Sequence, residues 1–272
     1  MINYTDRISL LMRDIVARVP TLGFIDLDEV LVFARWGRSD AEGAFATCHC
    51  LNLPPSEPGY YFWRDRTSGE VTRRSEWFVT KSPIVRVGNQ AITYLISFAL
   101  PRFCDQSLQR SRKAEFFPGA DPWLAKLDTL VHELYHIDPA ESGIRRIERE
   151  DGTYARHSHG PGFYEDVAAM VKHYLASGPD PELYAFLRED FSSLQARHGE
   201  IVATTFRTFP SYPQRYMEVL TDQPRVSGER ADVRIEPLRA PTQPREYTER
   251  DLVVRRFRRR GARRAASREL AA

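Results

Sequence analysis

The chain has 272 residues, 42% hydrophobic and 28% charged, which is ordinary for a soluble globular protein able to bury a full core. A net charge of +2 excludes a bulk polycation or polyanion, and three cysteines (Cys48, Cys50, Cys104) give no disulfide framework and suit a reducing compartment. No unbroken apolar run marks a signal peptide or a membrane span, so a cytoplasmic protein without a membrane partner is expected.

In chain order, residues 5–19 carry Ile8, Leu11, Met12, Ile15 and Val19 on one stripe, and Pro20 stops them, which predicts an amphipathic helix. The period then changes. Val30–Phe33 reads as a buried strand, Gly37–Asp40 as a turn, and Phe45–Leu53 as an alternating strand. In such a strand Cys48 and Cys50 share one face and His49 takes the other, so the three do not form a ligand set. A structural zinc site on Cys48, Cys50 and Cys104 is a weaker alternative to small buried thiols. Residues 54–90 read as loops with short strands near Tyr60–Arg64, Trp77–Thr80 and Ile84–Val87, and Tyr60–Trp63 form an aromatic cluster suited to packing. Residues 91–100 are the strongest strand, and 107–118 form a polar, basic connection.

The stretch from Val131 to Ile137 contains His132-Glu133-Leu134-Tyr135-His136, a His-Glu-x-x-His pattern. Chance produces it in roughly one or two of every hundred such chains, so context decides. Asp121-Pro122 suits a helix start, Leu124, Leu127, Val131 and Leu134 recur at helical spacing, and Asp138-Pro139 ends the run. Histidines four apart on a helix share a face, so both imidazoles can address one metal. Glu133 is then the base for a metal-activated water, and zinc, Zn2+, is the expected cofactor.

Three protein ligands and one open position make a catalytic zinc site. The third ligand is expected at His159, where His159-Gly160-Pro161-Gly162-Phe163 opens a second helix with a stripe of Phe163, Val167, Met170, Val171 and Tyr174. His157 and Glu165 remain the alternatives. Asp128 and Asp166 are candidates to orient a ligand imidazole, and Tyr154, Tyr164, Arg145 and Arg146 to stabilise an oxyanion.

This order of motifs resembles the SprT-like zinc metallopeptidases. The words around Val131–Pro139, Ser142–Arg146 and His159-Gly160 are most similar to compact metallopeptidase relatives of phages, bacteria and archaea. The resemblance covers about 121–175. It implies zinc ligands His132, His136 and His159, Glu133 as general base, and an α+β, zincin-like fold with a small mixed or antiparallel sheet packed on the motif helix. The chain departs from many SprT proteins in lacking paired cysteines after His159, where they carry a zinc ribbon.

Beyond the motif, 181–197 reads as one helix and Ile201–Phe209 as a strand. A metallopeptidase domain over 1–209 and a Pro- and Arg-rich, irregular extension over 210–272 are expected. Residues 225–272 hold 14 Arg against seven Asp and Glu. The leading expectation is zinc-dependent hydrolysis of a protein or peptide substrate. The alternatives are a nucleic-acid-associated protein binding through its Arg-rich tail, and a metal-dependent hydrolase of another bond.

Overall fold

The computed structural model describes residues 1–52, 55, 58–60, 62–139, 143–145, 159–160, 162–207, 213, 215–222 and 246–259. The short strand β1 (Ile2–Asn3) leads into α1 (Tyr4–Arg18), whose Ile8, Leu11, Met12 and Ile15 are fully buried. Next come β2 (Val30–Gly37), β3 (Ala46–Cys50), β4 (Phe62–Arg64), β5 (Val71–Arg74), β6 (Phe78–Lys81), β7 (Ile84–Val87), β8 (Gln90–Ala91) and β9 (Tyr94–Pro101). Four helices follow: α2 (Leu124–Tyr135), α3 (Phe163–Ala176), α4 (Pro181–Tyr184) and α5 (Phe191–His198). The described chain closes with β10 (Ile201–Phe206), β11 (Tyr216–Val219), β12 (Glu246–Tyr247) and β13 (Leu252–Phe257).

The molecule is α+β. Strand β9 is buried along its whole length and lies between β2, to which it is parallel, and β3, to which it is antiparallel. Its Ile96, Phe98 and Leu100 face the main core with Ala46 and Cys50 of β3, against α1, α2 and α3. Its Leu95 faces a smaller cluster with Phe33, Val85, Phe206 and Tyr247. Burial on both faces explains why β9 reads as a continuous apolar run rather than an alternation. It begins at Tyr94 rather than residue 91 because Gln90 and Ala91 close a hairpin with β7. No helix among the described residues is long and apolar enough to cross a membrane.

Two expectations need correction. Residues 181–197 do not form one helix. Asp180 and Asp190 each accept a backbone N–H at a separate helix start, and Lys126 Nζ donates to the carbonyls of Leu187 and Glu189 in the break. These caps make two short helices and a 3-10 turn more favourable than one continuous rod. Nor is all of 210–272 irregular. β11 pairs with β6, β12 with β7, and β13 runs antiparallel to β10 along its full length. Phe257, amid the arginine run, is buried, and Arg256 pairs with Glu200. The run reads as a tail because its charges dominate the local pattern, yet Phe257 in the main core and Leu252 against the smaller cluster anchor the strand.

Candidate metal centre

Helix α2 is buried on nearly all sides, with Leu127, Leu130, Val131 and Leu134 fully enclosed. Its regular part starts at Leu124 with Trp123 as N-cap, after a tight turn in which the Leu124 N–H reaches the Asp121 carbonyl. It ends at Tyr135, and His136 stays tied to it through its N–H to the His132 carbonyl. The chain then turns back: Ile137 bridges Ile144, and the Arg145 N–H meets the His136 carbonyl at 2.7 Å. The helix therefore delivers His132, Glu133 and His136 from its last turn. His159 arrives from the entry to α3, where Gly162 holds the N-cap position at φ +82°, a conformation that favours glycine.

The three Nε2 atoms converge. His132 and His136 are 3.2 Å apart, His132 and His159 3.1 Å, and His136 and His159 3.2 Å. These contacts cannot all be hydrogen bonds. A neutral imidazole has one N–H, and a protonated Nε2 cannot also accept. Three lone pairs facing a shared point suit a cation. Donors about 2.0–2.1 Å from a tetrahedral zinc would lie about 3.3 Å apart, so the residues present fit the ion. Among the described residues this is the group of His, Cys, Asp and Glu close enough to hold a metal. Glu165 lies outside it, exposed on α3, and His157 lies outside the described residues. The cysteines are not gathered either: Cys104 is fully buried beside Tyr4, and burial pushes its thiol up to about 12.

Burial and mutual repulsion hold His132 and His136 neutral, as ligands must be. Burial lowers His132 to about 2, aided by His136, Lys113 and His159, and it lowers His136 to about 4, aided by His159 and Arg145. Phe163, buried at the start of α3, packs its ring within 5.1 Å of all three imidazole centroids. Its helical stripe was legible in the sequence, but its role as a wall behind the histidines was not.

Glu133 is buried, and burial pushes its carboxyl up to about 8 against the opposing pull of Lys113, a hydrogen bond from the Cys48 backbone N–H, and Arg35. Its Oε2 has no hydrogen-bond partner among the described residues. A cavity of about 630 Å³ opens beside it, bordered by His132, His159, Ala46, Phe116, Tyr164 and Lys113. Lys113 comes from a 3-10 turn in the stretch read as a plain basic connection. Its ammonium sits 2.6 Å from Asp128 and donates to the Thr129 hydroxyl and the Ala125 carbonyl. The available signal was scarcity: the chain has 35 Arg but four Lys, of which Lys126 lies on α2 and Lys113 packs beside it.

Several expected partners are elsewhere. Asp128 is engaged by Lys113, and Asp166 accepts from the Tyr135 hydroxyl, so neither is seen to orient an imidazole. The Nδ1 atoms of His132 and His136 have no partner among the described residues. Arg145 is turned away, its guanidinium 4.2 Å from the Tyr135 ring centroid and its Nε donating to the Tyr135 carbonyl. Tyr154 and Arg146 lie outside the described residues. Tyr164 borders the cavity, its ring 5.3 Å from that of His159, and its hydroxyl has no hydrogen-bond partner among the described residues.

Comparison with known proteins supplies no relative: no protein-family model, curated protein or solved structure matches the chain.

Proposed function

We propose that this protein is a zinc-dependent peptidase of zincin-like, SprT-like type, with His132, His136 and His159 as metal ligands and Glu133 as general base. The observation that carries the reading is the convergence of three Nε2 atoms beside a buried, half-satisfied carboxylate at an open cavity. Zinc held there would polarise a carbonyl and lower the pKa of water at its open position toward about 7. Glu133 would take a proton from the attacking water and pass it to the leaving amine. The uncommitted hydroxyl of Tyr164 would donate to the oxygen of the tetrahedral intermediate.

Peptide is the favoured substrate because β3 borders the cavity and pairs with β9 on one side only among the described residues. Ala99 donates to the Phe45 carbonyl and Leu51 to that of Thr93, so the intervening even-numbered backbone groups point away from β9. At the Ala46 end, before Cys48 commits its N–H to Glu133, an extended peptide can pair with such an edge. The nucleic-acid reading draws less support, because Arg255, Arg256 and Arg259 contact Arg207, Glu200 and Asp105 in the folded body. The test is hydrolysis of an unfolded protein substrate by the zinc-loaded chain. Cleavage is expected to stop on chelation, return with zinc, and be absent from Glu133→Gln. Cleavage that survives Glu133→Gln would reject the reading.

A further inference from the structure

A second pocket, of about 400 Å³, lies away from the histidines, between the end of β2, the following loop and the residues after β9 and β13. Trp36, Arg38, Ser39, Arg102 and Arg259 line it. Arg102 is the unusual member. It is only 8% exposed, yet no carboxylate among the described residues bonds its guanidinium. Its Nε donates to the Arg38 carbonyl at 2.9 Å and its Nη1 reaches that of Ala44 at 3.5 Å, while Nη2 has no partner among the described residues. Buried charges are ordinarily paired, and here the unpartnered Nη2 is accessible at the pocket, where a ligand can reach it.

The surroundings favour an anionic ligand. Gly43, at φ +122°, wraps the guanidinium so closely that a Cβ there would lie 2.8 Å from Nη1. Two carboxylates are near, and both are engaged. Asp40 is held by both Arg38 nitrogens, and Asp105 accepts from Arg259, the Phe191 N–H and Ser39. Of the three guanidinium groups, that of Arg102 is the one no carboxylate among the described residues holds. Guanidinium forks match phosphate oxygens, and several around one pocket suit an anion with three oxygens better than a carboxylate. Trp36 adds a flat wall. Its indole is 40% exposed, and Phe257 backs it at 4.7 Å between ring centroids.

We propose that this pocket binds a nucleoside monophosphate, with the phosphate on Arg102 and the base stacked on Trp36. The site is independent of the histidine triad. It is also connected to it, because the loop that wraps Arg102 continues into Ala44–Ala46, which border the cavity beside Glu133.

The test is calorimetric titration of the zinc-loaded full chain with adenosine monophosphate, ribose phosphate and inorganic phosphate. Adenosine monophosphate is expected to bind with about one site per chain and roughly tenfold tighter than ribose phosphate, an advantage lost in Trp36→Leu. Arg102→Gln is expected to weaken all three phosphates roughly tenfold to a hundredfold. Since Arg102 also staples its loop, Arg38→Ala serves as a second variant and is expected to weaken phosphate with the fold intact. Binding retained in His159→Ala would separate this pocket from the metal centre. The proposal is overturned if none of the three binds, if Trp36→Leu and Arg38→Ala both leave affinity unchanged, or if binding disappears with His159→Ala.

Discussion

The backbone N–H of Cys48 donates to the carboxylate of Glu133, so strand β3 holds the group that the proposed chemistry uses as its base. The bond runs from the edge strand to the motif helix. It gives a carboxyl group this buried one backbone donor, while Oε2 is buried without a partner among the described residues.

Removing that N–H tests its role. Cys48 alternates with the residues whose backbone groups pair with β9, so Cys48→Pro deletes the bond to Glu133 without breaking the ladder. Hydrogen bonds to charged groups contribute about 1.5–3 kcal/mol, so turnover is expected to fall roughly tenfold or more with metal content unchanged. Cys48→Ala keeps the N–H and is expected to remain close to wild type. Equal losses in both variants would assign the effect to the side chain.

The raised Glu133 carboxyl makes a stability prediction with a definite sign. Its folded value of about 8 lies above the ordinary 4.5, so its contribution is present below pH 4.5 and is lost as pH rises through 8. Metal-free Glu133→Gln should therefore gain on metal-free wild type across that window. Urea unfolding of both at pH 5 and pH 8.5 checks it. A gap that is constant or narrows toward alkaline pH contradicts the assignment.

The histidines work in the other direction. His132 and His136 are lowered to about 2 and 4 from an ordinary 6.5, so their neutral forms stabilise the fold above pH 6.5 and that stability is lost as pH falls toward 4. Metal-free wild type should lose stability over this range, and His132→Gln/His136→Gln should lose distinctly less. Thermal unfolding across the range reads the difference, and parallel profiles would contradict it.

Lys113 and Asp128 form an ion pair whose side chains are 14% and 4% exposed. Burial lowers Lys113 and raises Asp128, so each depends on its partner to stay charged. Lys113→Met is expected to cost about 3–5 kcal/mol, because it strands a buried carboxylate. Adding Asp128→Leu should recover much of that loss in urea unfolding. No recovery would show that Lys113 acts through Thr129 and Ala125 instead.

The sequence made the motif helix and β9 legible because both are strongly periodic or strongly apolar, and their signals are local. His159 stood out as a candidate because it lies just before Gly160 and Gly162 at a helix start, and the structure brings its Nε2 to those of His132 and His136. What stayed hidden depended on distant contacts. Lys113 reaches Asp128 across 15 residues of sequence, and the Cys48 N–H reaches Glu133 across 85. β13 was masked by its own arginines, since the packing of Leu252 and Phe257 and the pairing with β10 distinguish it from a solvated tail. The 181–197 break was hidden because Asp190 caps within a stretch whose apolar residues keep helical spacing, and Lys126 stabilises the break from another helix.

Metal content by elemental analysis tests the central claim most directly, on purified wild type, His159→Ala and Glu133→Gln after zinc is supplied and excess removed. The three-histidine centre predicts about one zinc per chain in wild type and in Glu133→Gln, and loss of it in His159→Ala. A wild type that retains no metal, or a His159→Ala protein that retains as much as wild type, would contradict it.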